Sequence, residues 1–217
     1  MSVVECLIGS RKFKPVERTP DFTKSKGEVM ANVIVDTMKC VDETGNGADE
    51  WTSDDVYLLL FRGTVPTGVN LASRTEFTVT GPGGFWDAMD DGDRRSRDVT
   101  VAAYDPTSVY VVQLIEKDNR RDVDDNVIDA YRSYLNLEWT AALARTVGQL
   151  ASPRARTLAT TIAGGLRGLN SIYMELGKGN DDEIGAPQRL SLPTRQSTAV
   201  LEFRGQSGRY RATFKVA

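Results

Sequence analysis

The chain has 217 residues, 40% apolar and 26% charged, enough to bury a core in a globular fold. Its net charge of −3 supplies no positive field of the kind that drives nucleic-acid binding. It contains no histidine, which removes Ser-His and Cys-His nucleophiles and every zinc or iron site built on imidazole, and leaves only oxygen-loving cations within easy reach.

Residues 1–28 open with a short strand-like run, Val3 to Ile8, and continue as SRKFKPVERTPDFTKSKGE, whose prolines and scattered basic residues read as an extended arm. Glu5 stands in the short apolar run and the basic residues follow it, the reverse of a secretory signal. No apolar stretch approaches the roughly 18 residues a spanning helix needs. The expectation is a soluble protein, cytoplasmic or released by a non-classical route. Cys6 and Cys40, without a CxxC, leave room for one disulfide but not for a disulfide framework, and are read as free thiols.

From Met30 the texture becomes β-rich. MANVIVDTMKCVDE, DDVYLLLFRGT, RTEFTVTG, DVTVAAYD, SVYVVQLIEKD, TAVLEFRG and GRYRATFKVA are short apolar or alternating runs separated by turn residues. The last two are expected to pair as a hairpin around Gly205–Gly208. This is the pattern of an antiparallel β-sandwich of about eight strands, a single domain over residues 29–217.

One block breaks the pattern. Val127, Tyr131, Leu135, Trp139, Leu143, Val147 and Leu150 recur at helical spacing. Ser152 and Pro153 restart a helix as N-cap and first turn, and Leu158, Ile162, Leu166, Leu169, Tyr173 and Leu176 continue it to Gly177. The reading is an α-helical hairpin over about 126–177, inserted into a mainly β fold. Leu, Ile and Tyr at this spacing favour packing over a lipid anchor, and Trp51, Trp86 and Trp139 default to core or interface.

Three acidic segments stand at strand ends. They are CVDETGNGADEWTSDDVYLLL, VVQLIEKDNRRDVDD and GNDDEIGAPQRLSL, the second and last flanking the helical block. Carboxylates gathered without a cation repel one another, and calcium takes roughly six to eight oxygens from such loops. A fourth acidic stretch, WDAMDDGDRRSRD, fails the EF-hand pattern at Met89 and reads as a turn laced with salt bridges.

TSDDVYLLL resembles the SDPYV strand start of C2 domains, LIEKD resembles the Asp-x-Asp that opens their third calcium loop, and DDEIGAPQRLSL resembles the DDFIG…L that leaves it. The resemblance covers residues 30–125 and 178–217. It implies an antiparallel C2-like β-sandwich whose loops bind calcium and often anionic lipid. On that resemblance Asp42 and Asp54 would be first-loop ligands, Glu116 and Asp118 would open the third loop, and Asp182 would close it. The chain departs from the family pattern at Asp55, where the family has proline, at Glu116, where it has aspartate, and in the helical insertion. The implied function is a non-catalytic binding module that takes calcium and docks to a membrane or a protein partner. The alternative is a structural or assembly protein, such as a subunit of a capsid, an injection apparatus or a toxin complex, with the arm and the helical hairpin as contact surfaces. A carboxylate-dependent hydrolase is a third class for which no acid pair is fixed by spacing.

Overall fold

The computed structural model describes residues 30–42, 54–64, 74–81, 84–117, 125–147, 182–205 and 208–217. Among them are nine strands and one helix: β1 (Asn32–Asp42), β2 (Val56–Thr64), β3 (Arg74–Thr80), β4 (Arg94–Ala103), β5 (Ser108–Glu116), α1 (Asp125–Val147), β6 (Asp182–Glu183), β7 (Gln188–Leu190), β8 (Thr198–Gly205) and β9 (Gly208–Val216). The strands form two antiparallel sheets, one in the order β4-β1-β9-β8 and one in the order β3-β2-β5-β6, with β7 also paired to β5. The mainly β, antiparallel architecture is the expected one. The short strands β6 and β7 were not foreseen: together they occupy one edge of β5, interrupted between them.

The molecule has three layers. Val56, Leu58 and Leu60 of β2 and Tyr110, Val112 and Leu114 of β5 face the other sheet, where they meet Val33, Val35, Met38, Phe203, Tyr210 and Phe214. The alternate residues, Tyr57, Leu59 and Phe61 of β2 and Val109, Val111 and Ile115 of β5, face α1. Side chains alternate between sheet faces, so a strand covered on both sides must be apolar at every position. That is why VYLLLF and VYVV carry no polar alternation.

The helix supplies its half of the outer interface through Ile128, Tyr131, Leu135, Trp139 and Ala142, all buried. Tyr131, Leu135 and Trp139 are the face the spacing predicts; Leu143 only flanks it, and Leu137 on the other side is 70% exposed. Trp139 lies edge-on to Phe61 with ring centroids 6.0 Å apart, and Tyr131 meets Phe77 at 5.7 Å. Gly63 makes room for the indole: a Cβ there would stand 2.6 Å from the Trp139 ring. Asp125 in the first turn and Arg145 in the last suit the helix dipole. The second half of the expected helical hairpin, residues 152–177, lies outside the described residues, as do the arm at 1–28, Cys6 and Trp51.

The two sheets are tied together at two places. At one pole Tyr110 Oη donates to the Ala103 carbonyl (3.1 Å) and accepts from the Asp105 N–H (2.8 Å), tying β4 to β5. Burial is the main reason its hydroxyl is pushed up to about 12. On the flank beside β8, Gly185 (φ +79°) lies against the Arg204 backbone, where a Cβ would come within 2.5 Å of the carbonyl oxygen. Gln113 Nε2 donates to the Gly185 carbonyl and to the Leu114 carbonyl, and Gln188 Nε2 to the Glu202 carbonyl. These amides satisfy backbone acceptors where the edge of β5 changes from β6 to β7.

Candidate functional site

The acidic strand ends converge on one pole. β1 ends at Asp42, β2 begins at Val56, β5 ends at Glu116 and β6 begins at Asp182. Val56 is the register partner of Glu116, and Glu116 is the register partner of Asp182. Asp42 pairs in turn with Arg209 at the start of β9. The two sheets are joined here by the Tyr210 hydroxyl, which donates to the Asp54 carboxylate, while the Cys40 N–H continues the β1–β4 ladder within one sheet by donating to the Asp93 carbonyl at 2.9 Å.

The candidate ligands therefore share an end of the sandwich but not a common environment. Asp42 is exposed and Glu116 half-buried, both at the rim. Asp182 is placed by its backbone pairing alone, and Asp118 lies outside the described residues. Asp54 is 2% exposed, its carboxylate receives Tyr210, and its backbone is bridged to Met89 by hydrogen bonds of 2.9 and 3.2 Å. Its position holds the sheets together. The Tyr210 hydroxyl is pushed well up, first by burial and then by its bonds to Asp54 and to the buried thiol of Cys40. Among the described residues no group of three or more His, Cys, Asp or Glu is arranged to hold a metal ion.

The acidic turn before β4 is the salt-laced loop the sequence suggests. Asp55 accepts the Ala88 N–H at 2.9 Å, holding Ala88 at a left-handed φ of 51°. Arg95 bridges Asp93 at 3.1 Å and donates to the Ala88 carbonyl at 3.0 Å. Trp86 is fully buried beneath Gly81, and Phe85 beside it stays 40% exposed with the Arg97 guanidinium 5.5 Å from its ring.

A basic face that the sequence reading did not single out lies on the solvent side of the other sheet at this same pole. Lys39 is the register partner of both Arg94 and Arg211, Arg211 of Glu202, and Arg209 of Arg204. Glu202 alone receives Arg209 (3.0 Å), Arg211 (2.7 Å) and Arg204. Those three guanidiniums, Arg209 foremost, hold its carboxyl at about 2. The signal was present in the alternation of GRYRATFKVA and LEFRG, which puts Arg209, Arg211, Glu202 and Arg204 on the face opposite Tyr210, Ala212, Leu201 and Phe203. What it lacked was the cross-strand register that sets Lys39 and Arg94 beside them.

Searches against known protein families, characterised proteins and solved structures give no match to this chain. Among the described residues, no helix is long and apolar enough to cross a membrane.

Proposed function

We propose that this protein is a non-catalytic, C2-like binding module that docks through the acidic pole of its sandwich and takes calcium there. The observation that carries the reading is the pairing of Glu116 with Asp182 at the pole where β1 ends in Asp42. The helical block thus leaves β5 and returns on β6 at opposed register positions, as the two ends of one long loop would. Acidic residues at directly opposed positions disfavour the ion-free state, and a bound cation relieves that cost.

On this reading Asp42, Glu116, Asp118 and Asp182 are the ligands, with further oxygens from the acidic residues of 43–53. Asp54 serves from behind, fixing the start of β2 to β9. The partner met by the loaded pole is a protein or an anionic membrane surface.

Thermal melts in calcium and in chelator test the proposal. A ligand at about a hundred times its dissociation constant stabilises by about 2.7 kcal/mol. In a domain of this size that raises Tm by roughly 5–10 °C. Glu116→Gln and Asp42→Asn should abolish the calcium increment, and Glu116→Gln should in addition raise the chelator melt by relieving the opposed charges. Superimposable melts at millimolar calcium would end the reading.

A further inference from the structure

The basic face beside the acidic pole has a cost that folding does not explain. Arg94, Lys39 and Arg211 occupy consecutive cross-strand positions on β4, β1 and β9. Like charges directly opposite one another in a sheet are destabilising. Only at the end of the row does a carboxylate appear, Glu202, and it is already shared among Arg204, Arg209 and Arg211. The chain as a whole is net negative, so the concentration of cations here is local rather than a property of a basic protein. Neighbouring rows of the same face differ. Further along, Lys215 is held by Asp36 (2.7 Å) and Asp98 (2.9 Å), and the next row pairs Thr37 with Ser96 and Thr213. Arg94 is offset by the charge of Asp36 and Arg211 by Glu202, which leaves Lys39 between them as the least compensated cation of the row among the described residues, at the end near the pole.

Directly beside it is its electrostatic complement. The turn that leads into β4 carries Asp90 and Asp91, both exposed, and its last residue, Asp93, immediately precedes Arg94. Asp93 is bonded to Arg95, and Asp55 caps the same turn, so the acidic tip is held rigidly. On the same face Val200 is 60% exposed, one cross-strand row from the Glu202–Arg211 pair.

A patch with an acidic turn next to a basic row is complementary to itself. Rotating a second copy by a two-fold axis lays each turn across the other copy's row, so the same contact is made twice. We propose that this face, built on Lys39, Arg94, Arg211, Asp90 and Asp91, is the contact surface of a homodimer of this chain. The occupant is a second copy because the required counter-charge is on the chain itself, presented on a rigid turn adjoining the row. The three guanidiniums on Glu202 are then pre-ordered donors, with Val200 supplying an apolar contact at the centre. This surface adjoins the calcium pole proposed above but uses none of the ligands named there.

Light scattering on the full chain, in chelator so that the result is independent of calcium, tests the proposal. The wild type should be dimeric in about 50 mM salt, and association should weaken by about tenfold or more in about 500 mM salt, where the Debye length is shorter. Two charge-reversed variants separate this contact from any other. Lys39→Glu with Arg211→Glu turns the row acidic, and Asp90→Lys with Asp91→Lys turns the tip basic; each should be monomeric while retaining a cooperative melt. An equimolar mixture of the two should recover the dimer, because both contacts are then again between opposite charges. A third variant, Arg94→Gln, should raise the Tm of the monomer while weakening association, opposite signs that a purely structural residue would not give. A wild type that is monomeric at low salt overturns the proposal, and so does co-sedimentation of such a monomer with anionic vesicles, which would assign the face to a membrane. A dimer that survives both charge reversals, or a mixture that stays monomeric, overturns it equally.

Discussion

The two sheets solve opposite problems with the same backbone. β2 and β5 are covered on both faces, by the second sheet and by α1, and carry apolar side chains at nearly every position. Among the described residues β1, β8 and β9 are covered on one face only, and the other carries Lys39, Glu202, Arg204, Arg209, Arg211 and Lys215. Burial stabilises the middle layer, while the outer layer can hold an arrangement of charges that costs stability. Among the described residues of the two sheets the charged groups therefore lie on the outer sheet and the rim, and the middle sheet is core.

The contrast is sharpest at the helix. Trp139→Ala removes the largest side chain of the sheet–helix layer and should cost about 3–5 kcal/mol, read as a lower denaturation midpoint with loss of helical circular dichroism. Val200→Ala on the open face should stay within about 0.5 kcal/mol. An equal loss at both sites would mean the outer face is as packed as the inner one.

Gly63→Ala forces a methyl group into the Trp139 ring and should cost about 1–3 kcal/mol, although Gly63 is in a strand where alanine is ordinarily tolerated. Tyr210→Phe leaves Asp54 without its hydroxyl donor across the two sheets and should cost about 1–3 kcal/mol, with no change in the helix signal. These two variants locate the effect, one between sheet and helix and the other between the sheets.

Alkali tests the buried hydroxyls. The Tyr110 hydroxyl is raised by burial from 10 to about 12, so the folded state keeps its proton where the unfolded chain loses it. That stability is complete below about pH 10 and is lost as pH rises towards about 12. Tyr110→Phe should flatten this part of the stability profile. The smallest expected effect is on the outer face. Lys39→Gln relieves the like-charge row and should stabilise the monomer by about 0.2–1 kcal/mol, measured by denaturant titration.

Much of the architecture was legible beforehand because it rests on local periodicity. DTMKCVD, RTEFTVT and GRYRATFKV alternate, and Tyr131, Leu135 and Trp139 recur at helical spacing, so strand and helix followed from which faces needed covering. β6 and β7 were missed because two and three residues are too few to show a period, and their pairing depends on Gln113 and Gly185, distant in sequence. The start of β4 at Arg94 was missed because RRSR is polar on both faces until Val99.

The candidate site divides along the same line. The acidic residues at strand ends were visible as runs, and antiparallel connection alone brings Asp42, Glu116 and Asp182 to one pole. That Asp54 is turned inward to Tyr210 was not visible, because the two are far apart in the chain and only the packing of one sheet on the other makes them neighbours.

By itself the sequence determined the β-rich body, the interrupting helix and the clustering of acids, since each is written in the spacing of nearby residues. Only the tertiary structure decided that α1 covers the back of β2 and β5, that Asp54 is structural, and that Lys39, Arg94 and Arg211 form a row. These depend on register and layer packing between remote segments, and a local period carries no information about which partner a strand will meet.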